Sequence, residues 1–265
     1  MYRGKIMIID FHAHIYPNRI AEKAVHNNSQ FYNINSCCDG TSETLLQIGR
    51  YAHIDKFVIH PVAQKPEQVN SINKYTASQC KANPDHFIGF GTLHIDISNP
   101  EEEICRIIAL GLKGIKLHPD YQRFNIDDNR MLNIFSILDN RLPVLIHAGD
   151  YRYGYSHPSR IAHVIDCFPK LTVVAAHFGG WSLFDLALEY LERRFCYMDV
   201  SSSIMFLGRR RSEELIRIYG AERMIFGSDY PMWDPAVELE RFQSLDIPNG
   251  DKGLILSGNA LKILS

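Results

Sequence analysis

The chain alternates short apolar runs with longer stretches in which apolar residues return every three or four positions, the sequence form of βαβ units. Eight runs read as strands: Ile6 to Asp10, Phe57 to His60, Phe87 to Thr92, Gly114 to His118, Pro143 to His147, Thr172 to His177, Cys196 to Val200 and Met224 to Ser228. Most are apolar at successive positions rather than at every second one, as parallel strands covered on both faces require. The helices between them carry start signals and stripes. After Ser98-Asn99, Pro100 suits a first helical position, Glu101 to Glu103 face the positive end of the helix dipole, Ile104, Ile107 and Ile108 share a face, and Gly111 suits the C-cap. Further on, Asp127 or Asp128 can cap a helix in which Met131, Ile134, Phe135 and Leu138 recur at helical spacing. The segment Ile15 to Ser36, rich in Asn and aromatic residues, reads as irregular, and a helix is expected from Thr41 or Ser42.

Eight strands, each followed by a helix, predict an α/β fold of the closed (β/α)8 TIM-barrel type; an open, doubly wound sheet has the same local pattern. With 265 residues, one barrel accounts for residues 1–265 as a single domain. Hydrophobic residues make up 46% and charged residues 22%, ordinary values for a globular chain. A formal charge of -2 argues against a surface built for nucleic acid or an anionic membrane, which leaves a small molecule as the expected partner. No run of about 18 apolar residues is present, and the apolar run near the N-terminus is too short for a signal-peptide core, so a cytoplasmic location is expected. The six cysteines show no Cys-x-x-Cys spacing and read as reduced thiols, buried or inert. A homodimer is only the general expectation for such a chain.

The chemistry concentrates at strand ends. His12 and His14 close the first strand in IIDFHAH, His118 the fourth in GIKLHP, His147 the fifth in PVLIHAG, His177 the sixth in VVAAHFGG, and Asp229 the eighth in MIFGSDYP. In a barrel these ends converge on one mouth, where active sites of that fold lie. Side chains alternate along a strand, so His12 and His14 point the same way and can share one ion. Imidazoles joined by a carboxylate, with one coordination position open, suit a catalytic divalent metal: zinc first, with manganese, iron or cobalt as alternatives. His12, His14, His147 and Asp229 are the candidate ligands, Asp229 also moves the proton, and His177 polarises the substrate or orients water. The loop after the fifth strand, Asp150 to His157, sets Arg152 among tyrosines, which suits a planar carboxylate through a forked hydrogen bond and stacking. Arg152, Tyr153, His118 and Trp181 are the candidate substrate contacts.

The ordered set HxH, KLHP, IHAG, AHFGG and GSDYP resembles the amidohydrolase superfamily, and within it the amidohydrolase-2 branch of compact metal-dependent hydrolases and non-oxidative decarboxylases. The resemblance runs from Ile6 to Leu261. It implies a distorted barrel, a metal at His12, His14, His147 and Asp229, and a catalytic histidine at His177. Lys116 stands where some members carry a carboxylated lysine bridging two metals; the KLHP wording is similar to the one-metal branch, so a second metal is not expected.

Three functions are open on these grounds. The first is hydrolysis of a small, carboxylate-bearing ester, lactone or amide by metal-activated water, with Asp229 as base and His177 stabilising the oxyanion. The second is non-oxidative decarboxylation of an aromatic or unsaturated acid at the same metal. Shortness of the chain favours hydrolysis. The third is a barrel that has lost its chemistry, against which the retained ligand set argues. Arg152→Ala is expected to raise the Michaelis constants for acidic substrates; constants unchanged across a panel of acids would remove that role.

Overall fold

Among residues 7–265, which the computed structural model describes, the chain folds as two compact units, one of residues 7–59, 85–87 and 200–265, the other of 60–84 and 88–199. In the first unit, β1 (Ile9–Ala13) is buried along its whole length. It lies parallel to β2 (Lys56–Ile59), Ile9 opposite Lys56 and Ala13 opposite Ile59, with a bulge between Asp10 and Ala13. The expected first strand, Ile6 to Asp10, is therefore displaced toward the C-terminus, and Ile6 lies outside the described residues. The apolar count misplaced it because the polar residues Asp10 and His12 are themselves buried in the strand, at 0% and 1% exposure.

On its other side β1 meets the last strand of the chain. Phe11 N donates to Phe226 O (2.9 Å), Asp229 N to His12 O (2.7 Å) and His14 N to Tyr230 O (2.7 Å). Asp10 locks this seam: its Oδ1 accepts from Ser228 N (2.9 Å) and from His12 N (3.1 Å). A buried carboxylate satisfied by backbone N–H groups is a strong, charge-assisted contact.

The segment Ile15 to Ser36 is not irregular: it contains a helix, Asn18–Tyr32, after Pro17 and ending on Asn33 in the left-handed region. Ala21, Ala24, Val25, Asn28 and Tyr32 form its less exposed stripe, but only Ala21 is fully buried, while Ile20 is 44% exposed. The helix is polar in overall composition, which is why the segment reads as loop. The next helix, Ser42–Ala52, starts where expected, with the Thr41 side chain accepting from Thr44 N. The run Arg209-Arg210-Arg211 restarts the helix Ile204–Tyr219 just after a break at Gly208, and Arg209 and Arg211 pair with Glu213 and Glu214.

The chain passes to the second unit within β3 (Phe87–Gly89). The expected third strand, Phe87 to Thr92, is thus broken at Phe90, and its second half is β4 (Gly91–Thr92). In this unit β4, β5 (Ile115–Leu117), β6 (Val144–Ile146), β7 (Val173–Ala175) and β8 (Tyr197–Asp199) follow one another in a parallel sheet. The remaining strand of the first unit is β9 (Met224–Ile225). Helices Pro100–Ala109, capped by Asn99, and Asn129–Leu138, capped by Asp128, match their sequence signals and bury Ile104, Ile107, Met131, Ile134, Phe135 and Leu138. Among the described residues no helix is long and apolar enough to cross a membrane.

The turns leaving β6 and β7 touch backbone to backbone. Trp181 N donates to Ala148 O (2.6 Å), and a Cβ on Gly149, whose φ is +77°, would lie 2.7 Å from Gly180 Cα. No side chain fits there, and an L residue resists that φ. Gly149→Ala is expected to destabilise the protein by about 2–4 kcal/mol in urea unfolding; unchanged stability would show that the two turns can part freely.

Candidate metal centre

In the first unit β1 presents His12, and His14 follows directly after its end, beside Asp229 at the exit of the last strand. The Nε2 atoms of His12 and His14 lie 3.2 Å apart, and each is 3.5 Å from Asp229 Oδ1. Three donors at about 2.1 Å from a tetrahedral ion stand about 3.4 Å from one another, so the triangle has the size of a first-row metal site. Its chemistry agrees: two imidazole nitrogens and a carboxylate oxygen converge, each a group that can offer a lone pair to a cation. Two imidazoles and one carboxylate accommodate zinc and manganese alike.

Supporting contacts fix the orientation of these side chains. Ser201 Oγ lies 3.2 Å from His12 Nδ1, leaving Nε2 to face Asp229, and Ser202 Oγ donates to Asp229 Oδ2 (2.6 Å). Asp229 has φ +64°, a left-handed conformation rare for any residue but glycine and best tolerated by Asn and Asp. Such strain persists where surrounding contacts over-determine it, as the bonds from Asp229 N to His12 O and from Met232 N to Asp229 O do here.

The second unit gathers His118, His147 and His177. The rings of His118 and His147 stack at 3.9 Å and 9°, and His147 Nδ1 lies 3.1 Å from His177 Nε2. His147 Nε2 is 3.0 Å from Gly149 O, which can only accept, so Nε2 carries the proton, Nδ1 accepts, and His177 Nε2 donates. Both His147 nitrogens are engaged in this arrangement. His177, with φ +59°, is held by its backbone N–H donating to Asp199 Oδ1 (3.1 Å). Lys116 is fully buried on β5, and its backbone carbonyl accepts from Thr92 Oγ1 (3.0 Å). His60, by contrast, packs edge-on against Phe90, and His94 Nδ1 accepts from Asp96 N.

Arg152, Tyr153 and Trp181 also come together: the guanidinium lies 5.2 Å from the Tyr153 ring and 6.0 Å from that of Trp181. Its fork is not open in the way the sequence suggests. Nε and Nη2 donate to the two oxygens of fully buried Asp150, at 2.9 and 2.6 Å. A buried carboxylate needs such a partner, and the residue two positions away supplies it. The cysteines are free, but Cys37, Cys105 and Cys167 are exposed rather than buried.

Five supporting residues carried no sequence signal: Asp10, Asp120, Asp199, Ser201 and Ser202. Asp120, in the turn after β5, is 1% exposed, and Ser156 Oγ donates to its Oδ2. Its Oδ1 is buried with no hydrogen-bond partner among the described residues. Burial pushes its carboxyl up to about 6; the Ser156 hydroxyl opposes this, and the neighbouring Asp150 charge adds to it.

A family model described as amidohydrolase matches residues 9–265. No curated protein sequence matches the chain. Among solved structures, an uncharacterized TIM-barrel protein of Bordetella bronchiseptica is 23% identical with a TM-score of 0.79, over 97% of this chain and 98% of its own. The 5-carboxyvanillate decarboxylase of Sphingomonas paucimobilis is 16% identical with a TM-score of 0.76, over 98% and 99%. A dihydroxybenzoic acid decarboxylase of Polaromonas sp. JS666, solved with bound manganese and 2-nitroresorcinol, is 14% identical with a TM-score of 0.75, over 98% and 97%. Likeness over this span shows the fold, a TIM barrel.

Asp120 gives a pH signature with a definite sign. Its folded pKa is raised, so between pH 4 and 6 the folded state binds more protons than the unfolded one and stability falls as pH rises. Relative to wild type, Asp120→Asn is expected to gain stability between pH 4 and 7, by at most about 3 kcal/mol. Parallel stability curves for the two proteins would refute this.

Proposed function

The chain belongs to the amidohydrolase family of metal-dependent enzymes, and from this premise we propose that it catalyses non-oxidative decarboxylation of an aromatic or unsaturated carboxylic acid. The observation that carries the reading is the triangle of His12 Nε2, His14 Nε2 and Asp229 Oδ1, a ligand set with a proton-carrying group inside it. The choice of reaction is supported by two full-length structural relatives that are decarboxylases of aromatic acids. Their coverage removes the weight that chain length lent to hydrolysis.

A bound divalent cation supplies Lewis acidity toward the oxygens of the acid. His12 and His14 would hold that cation together with Asp229. Asp229 gives the proton from its carboxyl group to the carbon that loses CO2; the C–C bond breaks, its electron pair stays on that carbon, and the carbon takes up the proton. Arg152, set against the Tyr153 and Trp181 rings, has the planar cationic chemistry that recognises an aromatic acid by charge and stacking.

Hydrolysis of an ester, lactone or amide is the second reading, favoured by the family description itself. There Asp229 is the base that takes a proton from water. Hydroxybenzoates incubated with the manganese- or zinc-loaded protein are expected to release CO2, and in D2O the product is expected to carry deuterium at the carbon that held the carboxylate. Release of alcohol or amine from esters or amides, with no CO2 from any acid, would replace this reading by hydrolysis. Asp229→Asn is expected to lower turnover about 10²–10⁴-fold while leaving the unfolding temperature nearly unchanged, because Asn tolerates the left-handed backbone.

A further inference from the structure

Asp229 is one end of a chain of hydrogen bonds. Trp233 Nε1 donates to Ser202 Oγ at 2.8 Å, and Ser202 Oγ lies 2.6 Å from Asp229 Oδ2. The direction of every proton follows from the groups themselves. An indole N–H only donates, so Ser202 accepts from Trp233 and its single proton is free to point at Asp229; the carboxylate oxygen only accepts. The short distance is that of an O–H···O⁻ bond. Asp229 Oδ2 is thereby occupied, and Oδ1 is the oxygen turned to His12 and His14.

The backbone invests in this arrangement. Ser202 has φ +50° and Asp229 φ +64°, two left-handed non-glycine residues whose side chains meet. Ser202 is 4% exposed. Trp233 sits on the turn that carries Asp229, where Met232 N donates to Asp229 O, and the edge of its ring meets that of Phe206 at 6.1 Å and 72°. The indole is therefore fixed from its own turn and from the helix Ile204–Tyr219. The left-handed turn at Ser202 carries a hydroxyl that reaches one oxygen of Asp229.

We propose that Ser202 and Trp233 are positioning residues that hold Asp229 with Oδ1 toward the metal and Oδ2 anchored on the Ser202 hydroxyl. The inference rests on the metal-centre reading. Partners that orient a ligand in this way change metal affinity or activity by about 10- to 100-fold when removed. Trp233 then serves the metal through Ser202.

The test titrates metal-free protein with Mn2+ and with Zn2+ against a chromogenic chelator, alongside the unfolding temperature of the metal-free form. Ser202→Gly removes the hydroxyl and relaxes the left-handed backbone. It is expected to weaken both affinities about 10- to 100-fold without lowering that temperature. Trp233→Phe keeps a ring against Phe206 and loses the N–H; a smaller loss of affinity is expected, and no further loss when it is added to Ser202→Gly. Wild-type affinity in Ser202→Gly, or an effect of Trp233→Phe that persists undiminished in the Ser202→Gly background, would overturn the proposal. A wild-type protein that binds neither ion would overturn the metal-centre reading and this inference together.

Discussion

The rest of the structure depends on the pairing of the first strand with the last. Backbone bonds from Phe11 to Phe226, from Asp229 to His12 and from His14 to Tyr230 bring together residues from the two ends of the chain, and Asp10 accepts from both sides of the seam. Pairing of first and last strands is what a closed barrel requires. Here it does a second task, because the bonded residues are the site residues or their neighbours. The register that joins the strands also sets the distances among His12, His14 and Asp229. A close contact enforces it: a Cβ at Gly227 would lie 2.8 Å from His12 Cβ.

Buried polar groups distinguish this protein from a generic α/β chain. Asp10, Asp120, Asp150 and Asp199 are essentially unexposed, and each accepts from hydrogen-bond donors of its own unit. Burying charge costs free energy unless it is paired or hydrogen-bonded, which is why each of these carboxylates comes with a donor. Left-handed non-glycine residues follow several strands: His177 and Phe178 after β7, Ser202 after β8 and Asp229 after β9. Turns that must aim side chains off strand ends adopt conformations that strands and helices do not need.

Fold and chemistry are separate questions in this family. A TIM barrel supports many reactions through the loops after its strands, and relatives under 25% identical establish the barrel without establishing the reaction. The histidine pair and Asp229 suit either a reactive water or an acid about to lose CO2, since both need a cation beside a proton carrier. Within the second unit, the guanidinium of Arg152 is held by Asp150 and set against the rings of Tyr153 and Trp181.

The sequence by itself determined the class of the fold and pointed to His12, His14 and Asp229 as candidate metal ligands. Strand runs with buried apolar positions and helices with Asn99 or Asp128 at their caps are local signals, fixed by periodicity and by the first turn of a helix. The HxH spacing is likewise local, because alternation along one strand places His12 and His14 on one side. Tertiary structure alone decided the rest. The helix Asn18–Tyr32 buries too little to announce itself, the first strand was displaced by polar residues that only a completed fold can bury, and the Arg152 fork turned to Asp150. Ser201, Ser202 and Asp120 acquire meaning only from partners distant in sequence, and serine or aspartate in isolation looks like any turn residue. Hydrogen bonds between strand exits depend on register and on left-handed turns, neither of which a pattern of apolar positions encodes.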